Sequence, residues 1–118
     1  MLTFRRGDVI LVDLNGGRGV EKTKVRPCVV VQNDRGNAKG PFTIIVPVTD
    51  FSGFRGYREQ VEVPAEELGS GGKPSVVGCG EIRQVDKGRI DSARGVVASL
   101  PEARMRLIDD ALRVALHL

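Results

Sequence analysis

The stretch from Gly19 to Val31 reads Gly-Val-Glu-Lys-Thr-Lys-Val-Arg-Pro-Cys-Val-Val-Val and joins a polar, glycine-rich loop to an apolar run. Pro27 has no backbone N–H, so it suits the first residue of a strand and not its middle. The β-branched valines that follow it, bounded by turn residues, predict a buried strand. Arg26 would then lie where a loop meets a rigid sheet, either as a positioned guanidinium or as an ordinary solvated arginine.

Length and composition limit the class of protein. A chain of 118 residues suits one domain, over residues 1–118, that buries more than about 60% of its unfolded surface. No stretch approaches the roughly 20 apolar residues of a membrane helix, and no apolar signal region follows the first charges, so we expect a cytoplasmic protein without membrane contact. Cys28 and Cys79 lack Cys-x-x-Cys spacing and predict buried, reduced thiols. The net charge of +3 permits a polyanionic partner.

Short apolar and β-branched runs separated by glycine, proline and asparagine clusters predict five or six strands and one helix. The strands are expected at 9–14, 27–31, 42–48, 60–63, 75–82 with a continuation to 90, and 95–98. Pro47 should mark a sheet edge or bulge, and 32–41 should be a polar turn. Ser99 and Glu102 fit a capping box for a helix running to about Ala115. This pattern predicts a mainly β fold, a small bent sheet or barrel, with a C-terminal α-helix.

The available chemistry is restricted. The lone His117 near the carboxyl end is badly placed to serve a serine or cysteine hydrolase. The sequence contains no clustered metal ligands and no Gly-x-x-x-x-Gly-Lys phosphate loop, so we expect neither a metal nor another cofactor. Arginines, hydroxyls and carboxylates on loops remain. RNA cleavage fits this inventory because the nucleophile, the 2′-OH, belongs to the substrate, and the protein mainly positions the chain and stabilises charge.

Four ordered motifs carry a family resemblance over nearly the whole chain. They are Arg6-Gly7-Asp8-Val9, Gly19-x-Glu21 followed by Arg26-Pro27, Val46-Pro47-Val48-Thr49, and Ile82-Arg83-x-Val85-Asp86-Lys87-x-Arg89-Ile90. Together they resemble the MazF/PemK family of toxin endoribonucleases from type II toxin–antitoxin systems. The resemblance implies an SH3-like barrel of the CcdB/MazF/PemK type, a homodimer, and an antitoxin that occupies the RNA groove. It also implies sequence-specific, metal-independent cleavage of single-stranded RNA that leaves a 2′,3′-cyclic phosphate and a 5′-OH.

The same resemblance assigns catalytic roles to Arg26 and Thr49 and a supporting role to Glu21. An arginine stays protonated in proteins, so Arg26 is unsuited to act as a general base. Our hypothesis is that Arg26 binds the non-bridging oxygens and the leaving 5′-oxygen while the Thr49 hydroxyl donates to the same phosphate. Glu21 is then the candidate that takes the proton of the 2′-OH.

Further residues are predicted to contact RNA through charge or stacking. Basic side chains would bind backbone phosphates, and Phe54 and Tyr57 would stack on bases, or else pack at the barrel end or in a dimer. Glu81 and Arg83 lie on a strand that reads Cys79-Gly80-Glu81, where many relatives read Cys-Asp-Gln or Cys-Glu-Gln, which puts the substrate contacts of this strand in question. The predicted RNA-binding set is Arg18, Lys22, Lys24, Phe54, Arg55, Glu81 and Arg83.

Two other functional classes share the predicted fold. One is a non-enzymatic toxin that binds a protein target, as gyrase-inhibiting toxins do. The other is a barrel that binds RNA or an antitoxin without cutting, its site weakened at Gly80 and Glu81. The presence of both Arg26 and Thr49 favours the nuclease, because a protein-binding toxin needs neither.

Overall fold

The computed structural model describes residues 2–15 and 25–118, and in these it contains a strongly bent antiparallel sheet with a helix at the carboxyl end. The strands are β1 (Asp8–Asp13), β2 (Val25–Val30), β3 (Phe42–Asp50), β4 (Gln60–Val63), β5 (Ser75–Gly78), β6 (Arg83–Asp86) and β7 (Val96–Ser99). The helices are α1 (Asp34–Lys39) and α2 (Glu102–Leu116), and short 3-10 turns lie at Phe51–Gly53, Ala65–Leu68 and Lys87–Arg89. The predicted mainly β fold with a C-terminal helix is confirmed.

The strand order is β4-β5-β3-β2-β1-β7, with β6 paired to β3 outside this path. Strand β3 therefore has three partners. Up to Pro47 it pairs with β2, and its pairing with β6 ends at Ile45. From Val48 it pairs with β5. The change of partner divides the sheet into two leaves that share β3.

Pro47 lies inside β3 and does not end the strand, which corrects the expected boundary at Val48. It stands between the last residue paired with β6, Ile45, and the first paired with β5, Val48. A residue without an N–H is tolerated where a ladder is interrupted. The strand consequently continues to Asp50 and carries Thr49 within it.

Two apolar clusters occupy the two faces of the sheet, because successive side chains of a strand point to opposite sides. Val29 belongs to the cluster beneath α2, together with Met105 and Ile108. Cys28 belongs to the second cluster, with Ile10. Met105 and Ile108 thus mark the face of α2 that packs on the core.

Two local predictions were wrong for tertiary reasons. Residues 32–41, expected to be a turn, contain the short helix α1, whose Asn37 is buried and accepts a hydrogen bond from Thr43 Oγ1 at 2.8 Å. The capping box does not form. Ser99 pairs with Asp8 in the β1–β7 ladder and donates its hydroxyl to Asp8 Oδ1 at 2.7 Å, so it lies in a strand and not at the helix N-cap.

A bidentate ion pair holds the 3-10 turn Ala65–Leu68 against α2. Arg104 Nε and Nη2 donate to the two carboxylate oxygens of Glu67 at 2.9 and 3.1 Å. Both side chains are about four-fifths buried, and the hydrogen bonds from Arg104 to Glu67 raise the pKa of the guanidinium. Paired, directional bonds of this kind fix geometry as well as adding energy.

Neither of the two helices in the described part of the chain has the length and apolar character needed to cross a membrane.

Replacing Ile108 by alanine should lower the free energy of unfolding by about 2 to 5 kcal/mol, since the side chain is fully buried and its loss leaves a cavity. Urea denaturation measures the change. Leu107→Ala is the matched control, because Leu107 is 49% exposed on the same helix. An equal loss in both variants would contradict the placement of the helix.

Arg104→Met keeps most of the apolar stem but leaves the Glu67 carboxylate without its partner. We expect a loss of about 1 to 2 kcal/mol in the free energy of unfolding, a modest value because both side chains retain some exposure. Arg106→Met removes an exposed ion pair between Arg106 and Glu102 on the same helix. It should lower the free energy of unfolding clearly less than Arg104→Met does. Equal losses from the two substitutions would mean that the Glu67–Arg104 pair does not hold the turn.

Candidate active site

The register of β2 and β3 brings the two predicted catalytic residues together. Cys28 lies opposite Pro47 in the antiparallel ladder. Arg26 is two residues before Cys28 and Thr49 two residues after Pro47, so both lie just beyond the same end of this ladder. Two residues 23 positions apart in the sequence are therefore brought to the same end of two adjacent strands.

Arg26 and Thr49 line one surface cavity of about 310 Å³, close to the lower end of the range for small-ligand sites. Strands β1, β2, β3 and β7 and the first residue of β5 supply part of its wall, and the connection between β4 and β5 supplies the rest. The residues that line it are Val9, Arg26, Pro27, Val48, Thr49, Asp50, Leu68, Gly71, Gly72, Lys73, Ser75 and Val97.

The guanidinium of Arg26 has an unused donor. Its Nε is buried and has no hydrogen-bond partner in residues 2–15 and 25–118. Leaving a buried donor unpaired costs free energy, and such groups in native proteins call for an explanation. Because Arg26 also lines the cavity, a bound ligand with acceptor oxygens would give this donor a partner once the guanidinium turns toward the ligand.

The thiol beneath Arg26 is not a nucleophile. Cys28 is fully buried, and this burial raises the pKa of its thiol to about 12 against the opposing influence of Arg83 and Arg26. A neutral, inaccessible thiol has little reactivity. The chemistry of the site therefore rests on the guanidinium, the hydroxyl and the charged groups around them.

Glycines allow the connection between β4 and β5 to close over the cavity. Gly69 has φ +81°, and a Cβ there would lie 2.6 Å from the carbonyl oxygen of Val97. A Cβ on Gly72 would lie 2.5 Å from the carbonyl oxygen of Ala65. Only glycine fits such approaches of one backbone to another. The turn that leads into this wall is the one fastened to α2 by Glu67.

Two charged residues at the rim escaped the sequence analysis. Lys73 Nζ lies 3.0 Å from Asp50 Oδ2, and both residues line the cavity. The stretch 64–74 is rich in glycine, and no local signal within it marks Lys73 as part of a site. Its position depends on the pairing of Asp50 with Ser75 between β3 and β5.

The remaining predicted residues divide into two groups. Arg18, Glu21, Lys22 and Lys24 lie outside the residues that the structure describes. The others lie within them but do not line the cavity that holds Arg26 and Thr49: they are Phe54, Arg55, Glu81 and Arg83.

Phe54 and Arg55 form a compact loop next to β4. The Phe54 ring stacks on Phe51 with 5.3 Å between centroids, and it borders a second groove between β4 and α2. Arg55 Nη1 donates to the carbonyl oxygens of Ser52 and Phe54 at 2.9 and 3.1 Å. Their predicted RNA contacts stay predictions.

Glu81 and Arg83 lie at the turn between β5 and β6. The Glu81 carboxylate covers Gly78, where an added Cβ would meet its Oε2 at 2.6 Å. Arg83 is paired with Ile45 on β3. Their predicted substrate contacts likewise stay predictions.

Within residues 2–15 and 25–118, no three or more His, Cys, Asp or Glu side chains converge in a way that could hold a metal ion.

Known proteins resemble this chain in sequence and in structure. Endoribonuclease MazF of Staphylococcus epidermidis is 36% identical over 115 residues, which cover 98% of this chain and 92% of the relative. The crystal structure of MazF (Form-I) from Deinococcus radiodurans superimposes with a TM-score of 0.80 at 23% identity, over the full length of both chains. An endoribonuclease from a mycobacterial species, solved in complex with its cognate antitoxin, gives 0.78 at 22% identity over 97% of this chain and 95% of that one.

The two structural likenesses concern the fold, and they agree with the half-barrel and terminal helix described above. The family model described as "PemK-like, MazF-like toxin of type II toxin-antitoxin system" matches residues 5–116. This match includes β2, β3 and the wall of the cavity between them. Together with the sequence identity of 36% over nearly the whole chain, it shows that this chain belongs to the PemK-like, MazF-like family of type II toxins.

Proposed function

We propose that the chain is a sequence-specific endoribonuclease that cleaves single-stranded RNA without a metal ion. The observation that carries the proposal is the cavity that Arg26 and Thr49 line together, in which a guanidinium with an unpartnered Nε and a hydroxyl are neighbours. A phosphodiester offers the acceptor oxygens that such donors bind well. The relative from Staphylococcus epidermidis, named Endoribonuclease MazF, supports the assignment.

The proposed reaction is attack of a ribose 2′-oxygen on the adjacent phosphorus. The O2′–P bond forms and the P–O5′ bond breaks, which leaves a 2′,3′-cyclic phosphate and a 5′-oxygen that takes up a proton from water. The 2′-OH proton goes to a carboxylate, for which Glu21 is our candidate. Arg26 donates to the non-bridging and leaving oxygens, and Thr49 donates to the same phosphate, so both stabilise negative charge as it develops.

The proposal extends to the partners of the protein. The mycobacterial endoribonuclease was solved with its cognate antitoxin, and a MazE–MazF complex is known from Deinococcus radiodurans. We propose a cognate antitoxin and a second copy of this chain as partners, and the cytoplasm as the location where they and RNA meet. The RNA contacts predicted for Arg18, Lys22, Lys24, Phe54, Arg55, Glu81 and Arg83 belong to the same proposal.

Arg26→Ala should reduce RNA cleavage at least about a thousandfold, and Thr49→Val by about a hundred- to a thousandfold, because each removes donors to the reacting phosphate. The assay is cleavage of a long unstructured RNA in EDTA with 5′-end mapping. Thr49→Ser, which keeps the hydroxyl, should retain most of the activity.

Arg113→Ala is the control for the lost positive charge, since Arg113 is exposed on α2 and pairs with Asp110 away from the cavity. The Arg113→Ala variant should cleave the RNA at the same short sequence as the wild-type protein. A folded Arg26→Ala variant with full activity would refute the assigned role. A wild-type protein that makes no cuts would instead favour the protein-binding toxin or the non-cutting barrel.

A substrate with 2′-deoxyribose on the 5′ side of the scissile phosphate should not be cut at that bond, because it lacks the nucleophile. The comparison uses two otherwise identical oligonucleotides containing the mapped sequence, followed by product analysis for the cyclic phosphate. Scission of the deoxy substrate would exclude the internal 2′-OH as the attacking group.

A further inference from the structure

Lys73 presents an ammonium at the rim of the cavity that holds Arg26 and Thr49. Its Nζ lies 3.0 Å from Asp50 Oδ2, yet the Lys73 side chain is 69% exposed and that of Asp50 is 50% exposed. Exposed ion pairs of this kind contribute little to stability. The Lys73–Asp50 pair therefore adds little to the stability of the fold, and its presence at the cavity calls for another explanation.

The backbone on both sides of the pair is fixed. The Ser75 hydroxyl donates to the carbonyl oxygen of Lys73 at 2.8 Å, and the Ser75 side chain is buried. Phe51 N–H donates to the carbonyl oxygen of Pro74 at 3.2 Å. Lys73 thus has a flexible side chain on a well-held backbone, two residues before β5 begins. Only its four-carbon stem needs to move for the ammonium to turn.

Asp50 is a fixed negative charge next to Thr49. Its Oδ1 accepts from the backbone N–H of Ser52 at 2.9 Å, which caps the 3-10 turn Phe51–Gly53. The Ser52 N–H, followed by Lys73, lowers the pKa of the Asp50 carboxyl to about 2. The carboxylate is therefore ionised at any working pH, and it opposes the approach of a phosphate while it holds the Lys73 ammonium near the cavity.

We propose that Lys73 binds an RNA phosphate neighbouring the scissile one, and that Asp50 holds the ammonium in place before binding and weakens RNA affinity by competing for it. This inference rests on the proposed function and adds a binding residue to it. Single-stranded RNA carries a phosphate at every nucleotide, so a chain whose scissile phosphate lies at Arg26 and Thr49 must pass further phosphates along the rim. A Lys side chain exchanges one anionic partner for another readily, because its ammonium has no fixed donor plane.

The inference makes opposite predictions for the two members of the pair. Lys73→Gln should weaken binding about three- to fivefold at 0.15 M salt and lower the slope of log affinity against log salt by about 0.7, the effect of one phosphate contact on a single strand. Asp50→Asn should tighten binding, since asparagine keeps the cap on Ser52 but removes the competing charge. Lys73→Arg should bind as the wild-type protein does.

The experiment measures equilibrium binding of an oligonucleotide that contains the mapped cleavage sequence with 2′-deoxyribose at the cut site, over a series of salt concentrations. Steady-state cleavage of the all-ribose version follows, where Lys73→Gln should raise KM and leave kcat within about twofold. Lys39→Gln is the matched control, because Lys39 is an exposed lysine in the last turn of α1, outside the cavity. Urea unfolding of each variant checks that it is folded.

Three results would overturn the inference. In the first, a wild-type protein that cuts RNA shows the same affinity loss for Lys73→Gln as for Lys39→Gln. In the second, Asp50→Asn weakens binding, which would mean that the pair only supports the fold. Both leave the proposed function standing. In the third, the wild-type protein neither cuts nor binds RNA, and the proposed function falls together with the inference.

Discussion

The site depends on one constraint, namely that β3 must serve both leaves of the sheet. The strand leaves β6 at Ile45 and joins β5 at Val48, with Pro47 at the interruption. A proline in an uninterrupted central strand would remove a hydrogen bond from the ladder, because proline has no N–H. Placed at the change of partner, it lets the strand bend and continue, and Thr49 follows it into the space beside Arg26. The location of the proposed catalytic residues thus follows from the way in which the sheet bends.

The wall of the cavity depends on α2 as well as on the sheet. The helix is held by its buried stripe, at the centre of which lies Ile108. From the same helix Arg104 reaches Glu67 and fixes the turn that precedes the glycine-rich connection. A terminal helix without any residue in the cavity therefore helps to shape it. This arrangement joins the stability of the core to the geometry of the site through a single bidentate ion pair.

The charges in and around the cavity suit an anionic ligand whose binding can be reversed. Arg26 supplies a partly buried cation with an unpartnered donor, and Lys73 supplies an exposed one with a carboxylate beside it. A cation without a nearby acid would bind polyanions more strongly but with less discrimination in position. The buried, neutral Cys28 adds bulk beneath the guanidinium without adding a reactive group.

The sequence determined the elements whose signals are local. The valines after Pro27 predicted β2, alternating apolar and polar residues predicted β4 at 60–63, and the spacing of apolar residues predicted α2. The ordered motifs indicated Arg26 and Thr49. Tertiary structure decided the rest. Ser99 does not form the expected capping box, because its pairing with Asp8 makes it part of β7. Lys73 lies at the site because Ser75 on β5 pairs with Asp50 on β3, a long-range contact that no pattern within a glycine-rich loop records.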